Sequence, residues 1–174
     1  PAIYVSHSIS ETFTLANCVH FIKDGTLMYS GNRDKAINFY NKNDNFIFRD
    51  SYIKGKVIKA NLSEGLTDIK LGKDSLTVYS NTLNLGQNVI VKIKATDIMV
   101  STIIPDKLSS LNYLKTKIEK VVFDKGLVCL VLNYEKNIIK ALLTKKSFNK
   151  LNLKKDMYCF AIIKALNIND VTNI

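Results

Sequence analysis

The chain has 174 residues, 47% of them hydrophobic, with 7 glycines, 2 prolines and a net charge of +10 from 25 basic and 15 acidic side chains. That composition suits one or two folded domains with a buried core and argues against a disordered chain. It contains no apolar run near the roughly 20 residues that a membrane-crossing helix needs. Nucleic acid is not an expected partner despite the charge. Only Arg33 and Arg49 carry the guanidinium that forks onto phosphate or guanine edges. The lysines alternate with apolar residues along predicted strands, which reads as a solvated surface with a general attraction for anions. The opening Pro1-Ala2-Ile3-Tyr4-Val5 is too short for a signal-peptide core and has neither a basic leader nor an initiator Met, so the chain is expected to be a piece of a longer one. Cys18, Cys129 and Cys159 are odd in number and widely spaced. They are expected as small apolar core residues in a reducing compartment, not as a disulfide frame or a zinc site.

In chain order, residues 2–5 predict a short apolar strand that stops at Ser6-His7-Ser8. A helix follows, with Ser8 or Ser10 as its N-cap and Ile9, Phe13 and Ala16 on one face. Residues 19–22 and 26–30, joined through Asp24 and Gly25, predict a hairpin. Residues 33–40 form a second predicted helix with Ala36, Ile37 and Tyr40 together. The polar run 41–45 breaks it, and a domain boundary is expected near residue 50.

From residue 51 onward the pattern is β, and it occurs twice. The stretch from Gly55 to Leu66 is answered by Lys117 to Leu127, and Val91-Lys92-Ile93-Lys94-Ala95 returns as Ala161-Ile162-Ile163-Lys164-Ala165. The spacing from Lys94 to Lys164 exceeds that from Gly65 to Gly126, so the second copy carries a short insertion between those landmarks. Period-2 alternation marks half-buried strands: Val89, Val91 and Ile93 against Ile90, Lys92 and Lys94, then Ile139, Ala141 and Leu143 against Ile138, Lys140 and Leu142. Turn signals at 63–65, 71–73, 84–86 and 124–126 space these strands as in a small barrel, repeated. Residues 147–151 are expected to form one helical turn at a barrel end. The fold class is therefore mainly β, a duplicated barrel preceded by an α/β piece, with a cleft between the copies.

Residues 1–31 resemble the end of an ABC-transporter ATPase domain, in which a strand ends in a switch histidine and a helix and a hairpin follow. The matching residues are Tyr4-Val5-Ser6-His7, Ser10-Glu11, Leu15-Ala16, Asp24-Gly25 and Gly31. The resemblance implies that His7 bonds the γ-phosphate of ATP in the full-length parent. His20, inside the hairpin, is read as structural.

The β part resembles the TOBE and Mop (molbindin-like) regulatory region of molybdate-importer ATPases, an OB-like arrangement. The residues that carry this are Lys94 to Val100, Pro105, Ser109-Ser110-Leu111-Asn112, Leu143 to Ser147, Leu151-Asn152-Leu153 and Ile163-Lys164-Ala165. The implied domains are 1–50, the ATPase remnant; 51–108, a first TOBE/Mop-like repeat; and 109–174, the Mop domain. The resemblance implies an oxyanion site at Ser109, Thr144, Ser147 and Lys164, commonly between subunits, with Asn112 bracing the turn. Read without it, Ser109 is a turn residue, Thr144 and Ser147 cap a short helix, and Lys164 is solvated. The family motif usually reads Ser-x-Arg-Asn, and Leu111 stands at its Arg position. Loss of a charge-assisted hydrogen bond removes about 1.5–3 kcal/mol.

The implied parent is the ATP-hydrolysing subunit of a molybdate or tungstate importer. It would be a homodimer on the cytoplasmic face of the inner membrane, beside integral membrane permease subunits, with ATP and Mg as cofactors and molybdate or tungstate as a regulatory ligand. The chain itself has no Gly-x-x-x-x-Gly-Lys-Ser/Thr loop and none of the other ATPase motifs, so it is expected to be inactive alone. Two alternatives stay open: another TOBE-containing importer (sugar, sulfate, polyamine or iron), or a β region that serves assembly only.

Overall fold

The computed structural model describes every residue except Pro1, Pro105 and Asn169; Pro105, one of the residues carrying the resemblance, therefore lies outside the described residues. Helix α1, Ile9–Leu15, is capped by Ser8, whose side chain accepts from the Glu11 amide. Strands β1 (Cys18–Lys23) and β2 (Thr26–Asn32) form a hairpin. Asp24 (φ 49°) and Gly25 (φ 76°) are both left-handed, the two-residue turn whose twist matches that of the flanking strands. Helix α2, Arg33–Lys42, begins at Asn32, whose side chain accepts from the Lys35 amide at 3.0 Å. It runs past the predicted end at Tyr40 because Asn41 is buried at the seam with the β region. There its side chain donates to Tyr52 O (2.6 Å) and accepts from Tyr52 N (3.1 Å).

Two expectations for this segment fail. Residues 2–5 form no strand, and Ile3 and Val5 are exposed. A strand needs a neighbour to satisfy its amides, and among the described residues the only sheet of this segment is the β1–β2 hairpin. Cys18 is not a core residue either. It occupies an outward position of β1, with Sγ 3.8 Å from His20 Nε2, while Val19 and Phe21 point inward. Cys129 and Cys159 are buried as expected.

The repeat is a repeat of topology. The first copy comprises β3 (Ser51–Asn61), β4 (Leu66–Lys70), β5 (Ser75–Tyr79), β6 (Asn88–Ile93), a 3₁₀ turn (Ala95–Asp97) and β7 (Met99–Ser101). The second comprises β8 (Asn112–Asp124), β9 (Leu127–Tyr134), β10 (Asn137–Thr144), α3 (Lys145–Lys150), β11 (Tyr158–Ile163), a 3₁₀ turn (Ala165–Asn167) and β12 (Val171–Asn173). The two five-stranded antiparallel sheets have orders β12-β6-β3-β4-β5 and β7-β11-β8-β9-β10, which match strand for strand. Registers match as well: Lys56 faces Asn88 and Ser51 faces Ile93, as Lys117 faces Tyr158 and Asn112 faces Ile163. A bulge between Val57 and Lys59 recurs between Ile118 and Lys120. The insertion is shared between a longer β9–β10 hairpin and the α3-bearing connection to β11.

The last strand of each copy is exchanged. β7 pairs with β11 of the second copy, and β12 pairs with β6 of the first. One apolar core runs through both copies, from Ile53 and Ile69 to Leu130, Ile139 and Ile163. The half-buried strands expected at β6 and β10 are covered on both faces, because the N-terminal segment lies across them. Ile90 packs with Phe13, Phe21, Tyr40 and Tyr52, and Ile138 packs with Ile47 and Cys129. Lys140, expected on a solvated face, is fully buried.

Candidate oxyanion-binding site

Thr144 ends β10 and is the N-cap of α3. Its Oγ1 accepts from Ser147 N (3.1 Å) and lies 2.9 Å from Ser147 Oγ. That is the capping geometry expected of a helix start, and it leaves both exposed hydroxyls committed to each other. Ser109 is exposed on the crossover between β7 and β8, and Lys164 is exposed just after β11. Crossover and strand end are brought together by two buried neighbours. Ser110 Oγ donates to Ile163 O at 2.8 Å, and Asn112 Nδ2 donates to the same oxygen at 2.9 Å. Ser109 and Lys164 thus flank a common backbone junction, with Leu111 exposed beside it.

Asn112 is a brace, and a wider one than a turn requires. Besides Ile163 O it holds Thr77 of the first copy on both sides, accepting from Thr77 N (2.7 Å) and donating to Thr77 O (2.8 Å). Its equivalent in the first copy is Ser51, also buried, whose Oγ accepts from Lys140 N of the second copy at 2.9 Å. Each copy thereby grips the other's third strand. Neither cross-brace is visible in the sequence, although a polar residue at the same inward place in both copies is the trace it leaves.

The first copy has a different polar set where the second has Leu111. Asp50, the equivalent of Leu111, accepts from Ala95 N at 3.4 Å and lies 3.6 Å from Lys92 Nζ. Lys92 also meets Asp170 Oδ2 at 3.5 Å, and Ser10 of α1 donates to that oxygen at 3.3 Å. This cluster fixes α1 to the first copy, and alternation alone would not have found it.

His7 is exposed on a bend ahead of α1. Near it, Tyr4 Oη and Ser6 Oγ donate to Glu11 Oε2 at 2.9 and 2.8 Å. These bonds, Ser6 first, pull the Glu11 carboxyl below its usual range. Among the described residues no group of three or more His, Cys, Asp or Glu side chains gathers as a metal site, and no helix is long and apolar enough to cross a membrane.

No protein-family model matches the chain. The molybdenum import ATP-binding protein ModC of Rhizobium etli is 29% identical over 170 residues, covering 95% of this chain and 47% of the relative. The protein of that name from Pasteurella multocida is 23% identical over 176 residues, covering 97% and 48%. The chain is homologous to the C-terminal half of molybdenum import ATP-binding proteins. It spans about half the length of the ModC relatives it matches. The cytoplasmic molybdate-binding protein ModG, in a crystal form with molybdate bound, superposes with a TM-score of 0.61 at 23% identity, covering 70% of this chain and 94% of ModG. That likeness bears on the fold, a duplicated OB-like Mop arrangement.

Proposed function

We propose that the chain is the C-terminal part of the ATP-hydrolysing subunit of a molybdate or tungstate importer. Residues 1–50 would be the end of the ATPase domain, 51–108 a TOBE/Mop-like repeat and 109–174 the Mop domain. The observation that carries this reading is the match along 95% of the chain to ModC. The exposed Ile3, Val5, Leu15, Ile22 and Leu27 fit it, since they suit packing against the preceding half that the relatives possess. In this reading the parent binds ATP and Mg, forms a homodimer through the β region, and works with permease subunits on the cytoplasmic face of the membrane. His7 senses the γ-phosphate.

The β region would hold a tetrahedral dianion through Ser109, Thr144, Ser147 and Lys164 at an interface between β regions. Backbone amides and hydroxyls converging in a dry cleft suit such an ion. Leu111 in place of the family's Arg favours a second reading, in which the β region serves assembly only. The test of the main reading is uptake by the full-length parent. His7→Ala is expected to nearly abolish ATP-driven molybdate uptake, and normal uptake by that variant would refute the switch role. The isolated chain is expected to hydrolyse no ATP.

A further inference from the structure

Lys140 stands in the middle of β10, fully buried, where β10 meets the N-terminal segment. Its Nζ donates to Phe46 O at 2.9 Å and lies 4.9 Å from the centre of the Tyr40 ring. Among the described residues no carboxylate comes within ion-pairing distance of it. The contacts made by the ammonium thus come from α2 and the turn Asp44–Phe46, one aromatic face and one carbonyl. Burying a charge with so little compensation is costly, and the group relieves that cost by giving up its proton.

We propose that the seating of residues 40–50 on the barrel is linked to loss of a proton from Lys140, which makes this junction a proton-sensitive clasp. With the segment lifted, the amine meets water and behaves as an ordinary lysine. With the segment seated, burial pulls its pKa down to about 8. The seated form thus sheds its proton first. Raising the pH above 8 favours seating, and below 8 both forms are charged and the dependence fades.

The neighbouring groups limit the window. Cys129 of β9 and Asp50 of the connector both favour the cation but do not outweigh burial. Cys129, whose thiol donates to Ile47 O at 3.1 Å, is itself pushed up to about 11 by burial and opposes seating above its ordinary value near 9. Tyr40 is also pushed up, by burial first, and stays protonated throughout this range. Ser51 of β3 contributes only a hydroxyl. Of the other elements packed on β10, the 3₁₀ turn Ala95–Asp97 carries Asp97, and α3 carries Lys145, Lys146 and Lys150.

The test is amide hydrogen exchange of residues 44–50 in the whole chain, as protection relative to the intrinsic rate at each pH. Protection should rise about fivefold between pH 7 and pH 9, the roughly tenfold that Lys140 alone would give being halved by Cys129 at the upper end. Lys140→Met, similar in length and always neutral, should abolish the rise, leaving only the small fall that Cys129 causes near pH 9, and should give higher protection than wild type at pH 7. A flat wild-type profile, or the same rise in Lys140→Met, would overturn the clasp. Should Lys140→Met not fold, the lysine Cε resonance in the wild-type protein decides instead. Titration of Lys140 near 8 supports the clasp, and titration at the ordinary lysine value ends it.

Discussion

The two copies share strand order, register and bulge, yet their outer faces differ. On the first copy, Tyr52 and Ile90 are covered by α1 and α2, and Asp50, Lys92 and Asp170 form an ion cluster that reaches Ser10. On the second, the equivalents of Asp50 and Lys92 are Leu111 and Ile162, and Leu111 and Tyr158 lie open. Duplication supplies two equal platforms, and their surfaces have then specialised. Both copies hold the N-terminal segment, the first through the Asp50, Lys92 and Asp170 cluster and the second through Lys120, which pairs with Asp44, and Lys140. Only the second has an apolar, exposed residue, Leu111, beside the junction of Ser109 and Lys164.

The largest expected effect tests the cross-braces. Asn112→Ala strips partners from Thr77 N, Thr77 O and Ile163 O in a buried place. Ile163 O keeps Ser110 Oγ as a donor, so two groups are orphaned. At about 1–3 kcal/mol each, a loss of roughly 2–5 kcal/mol is expected in denaturant unfolding. Ser51→Ala orphans one amide, Lys140 N, and should cost about 1 kcal/mol. Equal losses for the two would remove the asymmetry between the braces.

The second prediction concerns the face that stayed open. Leu111→Arg restores the fork expected for an oxyanion and should tighten molybdate binding by about 1.5–3 kcal/mol, one to two orders of magnitude. Calorimetry on the whole chain, wild type against Leu111→Arg, reads it directly. No heat from either protein would favour the assembly reading. Binding by the Arg variant alone would indicate a sensor that has lost its ligand.

A smaller effect probes the ion cluster. Lys92→Met removes the cation between Asp50 and Asp170 at a half-buried seam. A loss of about 1 kcal/mol is expected, shrinking in high salt because such pairs are partly screened. A salt-independent loss would point to packing of the lysine stem instead.

Much of this was legible in the sequence. The Asp24-Gly25 hairpin, the capped helices and the doubled strand set all rest on local chemistry or on period-2 alternation. Coverage of the second face of β6 and β10 was not legible. Lys92 and Lys140 alternate with apolar residues in the way that solvated lysines do, and nothing adjacent to them announces that a distant segment will lie across them. The exchange of β7 and β12 escaped for a similar reason, since strands as short as Met99–Ser101 carry too few positions to specify a partner. At the candidate site, the residue types were visible at Ser109, Thr144, Ser147 and Lys164. The mutual capping of Thr144 and Ser147 and the reach of Asn112 to Thr77 needed the fold.

The exchanged strands also set an order of events. β12 closes the sheet of the first copy by pairing Val171 with Val91, across the whole length of the second copy. During synthesis the first copy therefore waits, with the edge of β6 unpaired, until the second copy has been made. Such long-range closure slows folding and leaves an edge open to wrong partners. Removing residues 171–174 should accordingly strip amide-exchange protection from the β6 amides that face β12, leaving those paired with β3 and sparing β11, so that damage at one end of the chain is felt in the sheet that began folding first.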